Sequence, residues 1–198
     1  MIITIGREYG SGGHDVGAML SRKLGIVLYD KETLAENAKR LGYYDEIKCF
    51  YEEKPADSLL YAIAKSDDNG KMGEKSFKHI KEVTENQDCV VIGRCANYVF
   101  RNEQEHISVF VHADMDKRIK RIAQNNNISE KEAQKLIDET DKKRAEFHKQ
   151  YTSENWGDSK GYQLCIDSGM IGIEQTVDLI CDYITAKRQW RQSGKQRI

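Results

Sequence analysis

Ile2-Ile3-Thr4-Ile5-Gly6-Arg7-Glu8-Tyr9-Gly10-Ser11-Gly12-Gly13-His14-Asp15-Val16 is the stretch whose reading decides the fold. Residues 1–5 form a short, β-branched, apolar run that stops at Gly6, which predicts a buried strand closed by turn chemistry. Four glycines fall in the eight residues from Gly6 to Gly13. Such a backbone can take positive φ and approach a ligand closely. Val16, Leu20 and Leu24 then recur at helical spacing, and Gly25 can end the helix. A strand, a glycine-rich turn and a helix point backbone N–H groups and the positive end of a helix dipole at one spot, which is the geometry of a phosphate site.

The loop is not a regular Walker A motif, which needs G-x-x-x-x-G-K-[ST] so that a lysine meets the β- and γ-phosphates and a hydroxyl holds magnesium. Gly12 is followed here by Gly13-His14-Asp15, so both the lysine and the hydroxyl are missing. Arg7 is the nearest cation able to replace the lysine, and Asp15 or Ser11 can help hold a hydrated magnesium ion. His14 falls beside the expected phosphate. The later stretch Gly70-Lys-Met-Gly73-Glu-Lys75-Ser76 has the wrong spacing and no preceding strand. A dinucleotide-binding reading needs G-x-G-x-x-G, and after Gly10 and Gly12 the third position holds Asp15.

Further along, Ile26–Tyr29 reads as a second strand, with Asp30 as cap of a helix over 31–41. The polar stretch 42–87 suggests helices at 58–65 and 74–86 with a loop at 66–70. Cys89–Ile92, Ile107–Val111 and Tyr162–Ile166 read as three more strands, with a charged helical stretch over 114–148 between the last two. An amphipathic helix over 173–186 closes the fold, and residues 187–198 read as a solvated, frayed end. Strands alternating with helices predict an α/β, three-layer architecture: a parallel sheet of about five strands covered on both faces.

The 198 residues fit one domain and can bury roughly 70% of the unfolded surface. Lys+Arg total 31 against 32 Asp+Glu, a net charge of −1, which argues against a general nucleic-acid clamp. No apolar run is long enough to span a membrane. The five cysteines form no C-x-x-C pair, and Cys89, Cys165 and Cys181 read as small core residues of a reduced, cytoplasmic protein. The five histidines do not cluster with the cysteines at metal-ligand spacing, and no G-x-S-x-G elbow occurs.

Taken together, Ile5–Gly13, Leu24-Gly25 with Tyr29-Asp30, Val91-Ile-Gly-Arg94-Cys-Ala-Asn97, Ile166-Asp-Ser and Gly172-Ile-Glu resemble the cytidylate kinase-like family, among the P-loop nucleoside monophosphate kinases. The resemblance runs through nearly the whole chain in order and is weakest over 42–87. It implies a P-loop NTPase-type fold in a single domain, 1–198, with a monophosphate-binding insertion at 42–87 and a helical lid at 123–160. It implies phosphoryl transfer from ATP, with Mg2+, to a nucleotide or related small-molecule acceptor, without nucleic-acid or membrane partners, in a monomer or homodimer. Gly6, Arg7, Gly10, Ser11, Gly12, Gly13, His14 and Asp15 would cradle the donor. Arg94 would hold the acceptor phosphate, and Asp30 would lie near the acceptor nucleoside. Arg118 and Arg144, with Arg121 close behind, would contact phosphates from the lid.

Cytidylate kinases typically carry the Walker lysine, and an arginine soon after the aspartate of the second strand; this chain has Gly13 and Glu36 at those places. Two alternatives therefore stand beside an active kinase. One is a nucleotide-binding regulatory module with little or no turnover. The other is a dinucleotide-binding oxidoreductase, with Asp30 as its ribose-binding carboxylate.

Overall fold

A computed structural model of the chain describes residues 1–52 and 71–194. The helix expected at 58–65 and the loop expected at 66–70 lie outside the described residues. Five strands form one parallel sheet in the order β2-β3-β1-β4-β5. They are β1 (Ile2–Arg7), β2 (Val27–Tyr29), β3 (Cys89–Ile92), β4 (His106–His112) and β5 (Leu164–Asp167). Strand β1 is central: Ile2 pairs with Cys89 on one side and with His106 on the other. The connection after β1 leads to one side of the sheet and the one after β3 to the other. A crevice at the carboxyl ends of those two neighbours is where such sheets bind ligands.

The helices are α1 (Gly13–Leu24), α2 (Lys31–Arg40), α3 (Tyr44–Glu52), α4 (Lys71–Val83), α5 (Ala96–Val99), α6 (Met115–Asn126), α7 (Glu130–Thr152) and α8 (Ser168–Gln192). Strand alternation sorts the core into two layers. Ile3, Ile5, Val90, Ile92, Val109 and Val111 face α1 and α8, where Val16, Leu20, Val177 and Ile180 meet them. On the opposite face Cys89 and Val91 meet Leu34 of α2, Phe50 and Tyr51 of α3, Ile80 of α4 and Phe147 of α7. A third, small cluster joins Ile122 of α6 to Ala133 and Ile137 of α7, with Tyr9 of the glycine loop packed against it.

Local signals account for the element ends. Asp30 caps α2 through a reciprocal capping box with Thr33. The charged stretch over 114–148 is two helices, because Asn127 turns left-handed at φ 52° and Ser129 caps the second one with Glu132.

Three expectations need correction. Cys165 is exposed and Cys181 only half-buried. Strand β5 is an edge strand whose Leu164 and Ile166 take the inward positions, so Cys165 falls on the other side. The closing helix starts at Ser168, kinks at Gly172, and runs to Gln192, so residues 187–192 are not a frayed end. They are tied down because Lys187 reaches the His106 carbonyl and Arg191 pairs with Gln104 and Glu105. No helix among the described residues is long and apolar enough to cross a membrane.

Candidate functional site: a glycine loop clasped by arginines

The loop between β1 and α1 reaches the helix through Gly12, which stands at φ 82° as the N-cap and supplies no side-chain cap. The first-turn N–H groups of α1 are thereby left for a ligand. The loop is braced from below. The Ser11 hydroxyl donates to the Glu8 carbonyl at 2.9 Å, and the Ser168 hydroxyl donates to the Ser11 carbonyl at 2.6 Å. Ser11 is fully buried, so its hydroxyl is committed to the loop and not offered to a metal.

From above, three arginines grip the loop by its carbonyls. Arg144 donates to the Arg7 carbonyl at 3.1 Å, Arg118 to the Tyr9 carbonyl at 3.2 Å, and Arg121 to the Gly10 carbonyl at 2.7 Å. Arg118 is only 5% exposed, and two carboxylates enclose it. Asp141 accepts its Nη1 at 2.5 Å, and Glu8 lies 3.6 Å from its Nε. Asp141 also accepts the Tyr9 N–H at 2.8 Å, while Glu8 accepts the Ala113 N–H at 3.1 Å.

A pocket of about 420 Å³ opens over the loop, within the usual range for small-ligand sites. Its lining includes Arg7, Glu8, Gly10, Gly12, Gly13, His14 and Asp15 from the loop and the start of α1, and Asp30, Glu32, Arg94, Arg121 and Arg144 from elsewhere. Ten of the residues singled out in the sequence therefore meet around one space. Arg118 does not line it, being enclosed by Glu8 and Asp141. Gly6 lies beneath, against Phe110 and Tyr162, at a smaller cavity of about 30 Å³ that also touches Arg7, Arg94 and Arg144. His14 Nε2 lies 3.3 Å from Asp30 Oδ2. Burial pushes the Asp30 carboxyl up, but the bonds from the Thr33 backbone and hydroxyl and from His14 outweigh it, leaving it below the usual range.

Arg94 sits in an unusual backbone. Gly93, Arg94 and Cys95 are left-handed in succession, at φ 72°, 54° and 54°. For a non-glycine residue that conformation is sparsely populated, and such strain concentrates at functional sites. Strain and partners together aim the side chain: its Nη1 donates to the Phe50 carbonyl at 2.6 Å, and its guanidinium lies 5.1 Å from the Phe147 ring centre. Burial, then the Arg144 and Arg94 charges, push the Arg7 guanidinium well below its usual value. Burial, opposed by Cys95 and aided by the Arg144 charge, holds Arg94 down at about 10. Arg144 is also lowered, chiefly by burial. A guanidinium remains charged in proteins, so this downward pressure is chiefly the cost of burying three cations, to which their mutual repulsion adds at Arg7 and Arg94, and an anion would relieve it.

The donor set suits nucleotide phosphates, since it joins open helix N–H groups to the four guanidiniums of Arg7, Arg94, Arg121 and Arg144. It suits magnesium held through its water shell, because Asp15 and Asp30 border the pocket and no cluster of three or more His, Cys, Asp or Glu among the described residues forms a direct metal cage.

Two residues important to this geometry, Glu8 and Asp141, were not among those singled out in the sequence. A carboxylate inside a phosphate-type loop and another one helical turn before Arg144 were the available signals.

This fold and loop define a P-loop kinase-type protein. The cytidylate kinase-like family model matches residues 2–170, and the chain belongs to that family. The chain is also similar to a solved, uncharacterized protein from Eubacterium ventriosum, at 30% identity and a TM-score of 0.74, over 93% of this chain and 98% of that one. A shikimate kinase from Bacteroides thetaiotaomicron shares the fold at 16% identity and a TM-score of 0.54, over 93% of this chain and 98% of its own. A gluconokinase from Sinorhizobium meliloti shares it at 15% identity and a TM-score of 0.54, over 96% of each chain. No curated protein matches the chain.

Proposed function

We propose that the protein transfers the γ-phosphoryl group of Mg-ATP to a nucleoside monophosphate or a related small anionic acceptor. The observation that carries this reading is the convergence of Arg7, Arg94 and Arg144, from the end of β1, the end of β3 and α7, on one pocket above an uncapped helix N-terminus. Among the described residues no carboxylate forms an ion pair with Arg7, and the excess positive charge matches a polyphosphate.

Phosphoryl transfer asks little covalent chemistry of a protein; it asks for alignment, charge neutralisation and exclusion of water. In this scheme the loop backbone from Gly6 to His14 cradles the donor phosphates. Arg7 lies over the donor, Arg94 holds the acceptor phosphate, and Arg144 bridges the two. Arg121 lines the same pocket from α6 and also touches phosphate. Arg118 contributes as a positioning residue, fixing the α6–α7 pair against the loop. Asp30 faces the acceptor, and magnesium, when bound with the nucleotide near Asp15, neutralises phosphate charge. Residues 42–87 serve as the acceptor-binding insertion and 123–160 as the lid that excludes water.

The test is ADP release from Mg-ATP, screened against CMP, dCMP, UMP, AMP, GMP and a set of nucleosides. Turnover with one acceptor supports the kinase and names its substrate; ADP release with none of them refutes the nucleotide-acceptor assignment.

A nucleotide-binding regulatory module is the second reading. What favours it is the clasp itself, since Arg118, Arg121 and Arg144 each spend a donor on a loop carbonyl. Thermal stabilisation by Mg-ATP without turnover is the outcome that selects it.

A further inference from the structure

Gly13 stands where a regular P-loop carries its lysine, and the structure gives a spatial reason. A Cβ at position 13 would fall 2.3 Å from Arg7 Cβ and 2.8 Å from Arg7 Cγ. A Cβ at position 93 would fall 2.2 Å from Arg7 Nη1. Real carbon contacts do not come so close, so the Arg7 stem crosses the face of Gly13 and the Nη1 end of its guanidinium abuts Gly93. These two glycines come from the start of α1 and the turn after β3. Together they make a slot that holds one long cationic side chain between the loop and the Arg94 turn.

We infer that Arg7 and Gly13 are an exchange pair. The phosphate-facing cation of the loop is supplied by the end of β1 instead of the start of α1, and Gly13 and Gly93 are glycines because Arg7 occupies the space their side chains would need. The inference rests on the proposed phosphate-binding role of the pocket and deepens it by assigning its cation. It does not require turnover. A side chain on residue 13 and the Arg7 side chain exclude each other, so the lysine is displaced rather than simply lost. Gly93 adds a second constraint: at φ 72° it is also in the left-handed region, so its replacement combines backbone strain with the collision. Gly13 lies inside α1 and carries no such strain, which makes it the cleaner position to test.

Helix propensity supplies an internal control. Alanine is a better helix residue than glycine, so Gly13→Ala on its own should stabilise α1. With Arg7 present, the new methyl group must push the Arg7 stem aside. The experiment is therefore a cycle of four proteins: wild type, Arg7→Gly, Gly13→Ala and the double variant; glycine is needed at position 7 because alanine would keep the Cβ that the new methyl group meets at 2.3 Å. Each is followed by thermal unfolding and by calorimetric titration with inorganic tripolyphosphate. Arg7→Gly is expected to weaken tripolyphosphate binding tenfold or more. Gly13→Ala is expected to lower both the melting temperature and the affinity with Arg7 present. With the residue-7 side chain removed, the same change should raise the melting temperature.

That reversal of sign is the signature of the slot. Additive effects of the two substitutions, or a Gly13→Ala protein that binds and melts like wild type, overturn the inference. A further arm, Arg7→Gly with Gly13→Lys, restores a lysine at the helix start. Recovery of at least part of the lost tripolyphosphate affinity supports the exchange. A folded double variant that binds no better than Arg7→Gly contradicts it. Sign reversal in a protein that never releases ADP keeps the exchange and rejects the kinase reading; ADP release with additive substitutions does the opposite.

Discussion

The two faces of the sheet are built from different materials. Toward α1 and α8 the core is aliphatic, with Ile3, Ile5, Leu20, Val90, Ile92, Val109 and Ile180 packed together. Toward α3, α4 and α7 it is aromatic, with Phe50, Tyr51, Phe100 and Phe147, and it admits buried polar groups: Arg94, His79, His106 and His148. Aromatic rings accept a neighbouring cation on their faces, and Arg94 lies over Phe147 in that way. An aliphatic layer can hold strands in register but cannot orient a charge. The first face therefore acts mainly as scaffold, with Arg7 at its edge against Gly13 of α1, and the second aims Arg94 into the pocket.

The comparison is broken most severely at Arg94. Arg94→Ala removes a buried cation and leaves the Phe50 carbonyl without that donor. ADP release is expected to fall about 100- to 1,000-fold, as when a transition-state charge partner is lost. Activity within a few-fold of wild type would separate the aromatic face from the chemistry. On the opposite face Leu20 is fully buried. Leu20→Ala should cost about 2–5 kcal/mol in denaturant unfolding through cavity formation. Nucleotide affinity of the folded fraction should stay unchanged; a large loss of affinity would mean that the scaffold also tunes the site.

A smaller effect is expected where the lid meets the loop. Asp141→Asn weakens the acceptor for both the Tyr9 N–H and Arg118. It should lower kcat/KM about tenfold, on the scale of a modest misplacement of catalytic groups. An unchanged kcat/KM would show that the clasp does not set the geometry of the pocket.

The smallest effect is a pH dependence carried by the aromatic side alone. Burial holds His148 down at about 4, and burial with the Lys187 charge does the same for His106. In the unfolded chain both titrate near their ordinary value, about 6.5. Between these values the unfolded state binds more protons, so stability rises with pH across that window. The contribution is complete above about 6.5 and is lost as pH falls toward 4. Urea unfolding at pH 7.5, 6 and 5 should show a steady decrease, and His148→Gln should make the slope shallower. A slope unaffected by that substitution would exclude His148 as its source.

Sequence periodicity and turn chemistry located the strands because each holds a short apolar run, and Asp30 and Gly93 directly follow β2 and β3; β1 does not stop at Gly6 as expected but runs to Arg7, because Gly6 and Arg7 still pair with Phe110 and Val111 of β4. The glycine loop was legible for the same reason, and so was Arg94, placed directly after a strand. Partners were not legible. Asp141 meets the Tyr9 N–H across 132 residues of sequence, and nothing local to either residue announces it. Arg118 and Arg121, three residues apart, look equivalent on a helical wheel. Only the packing of α6 against α7 separates them: Arg118 is enclosed by Glu8 and Asp141, while Arg121 faces the pocket. Cys165 shows the same limit, because an apolar run does not say which of its residues an edge strand leaves outside.

The central claim is that the loop and its three arginines bind nucleotide phosphate. Calorimetric titration of the wild-type protein with Mg-ATP, at low and at raised salt, tests it most directly. The account predicts saturable one-site binding that weakens as salt screens the arginines. A folded protein that takes up no Mg-ATP at either salt concentration would contradict it.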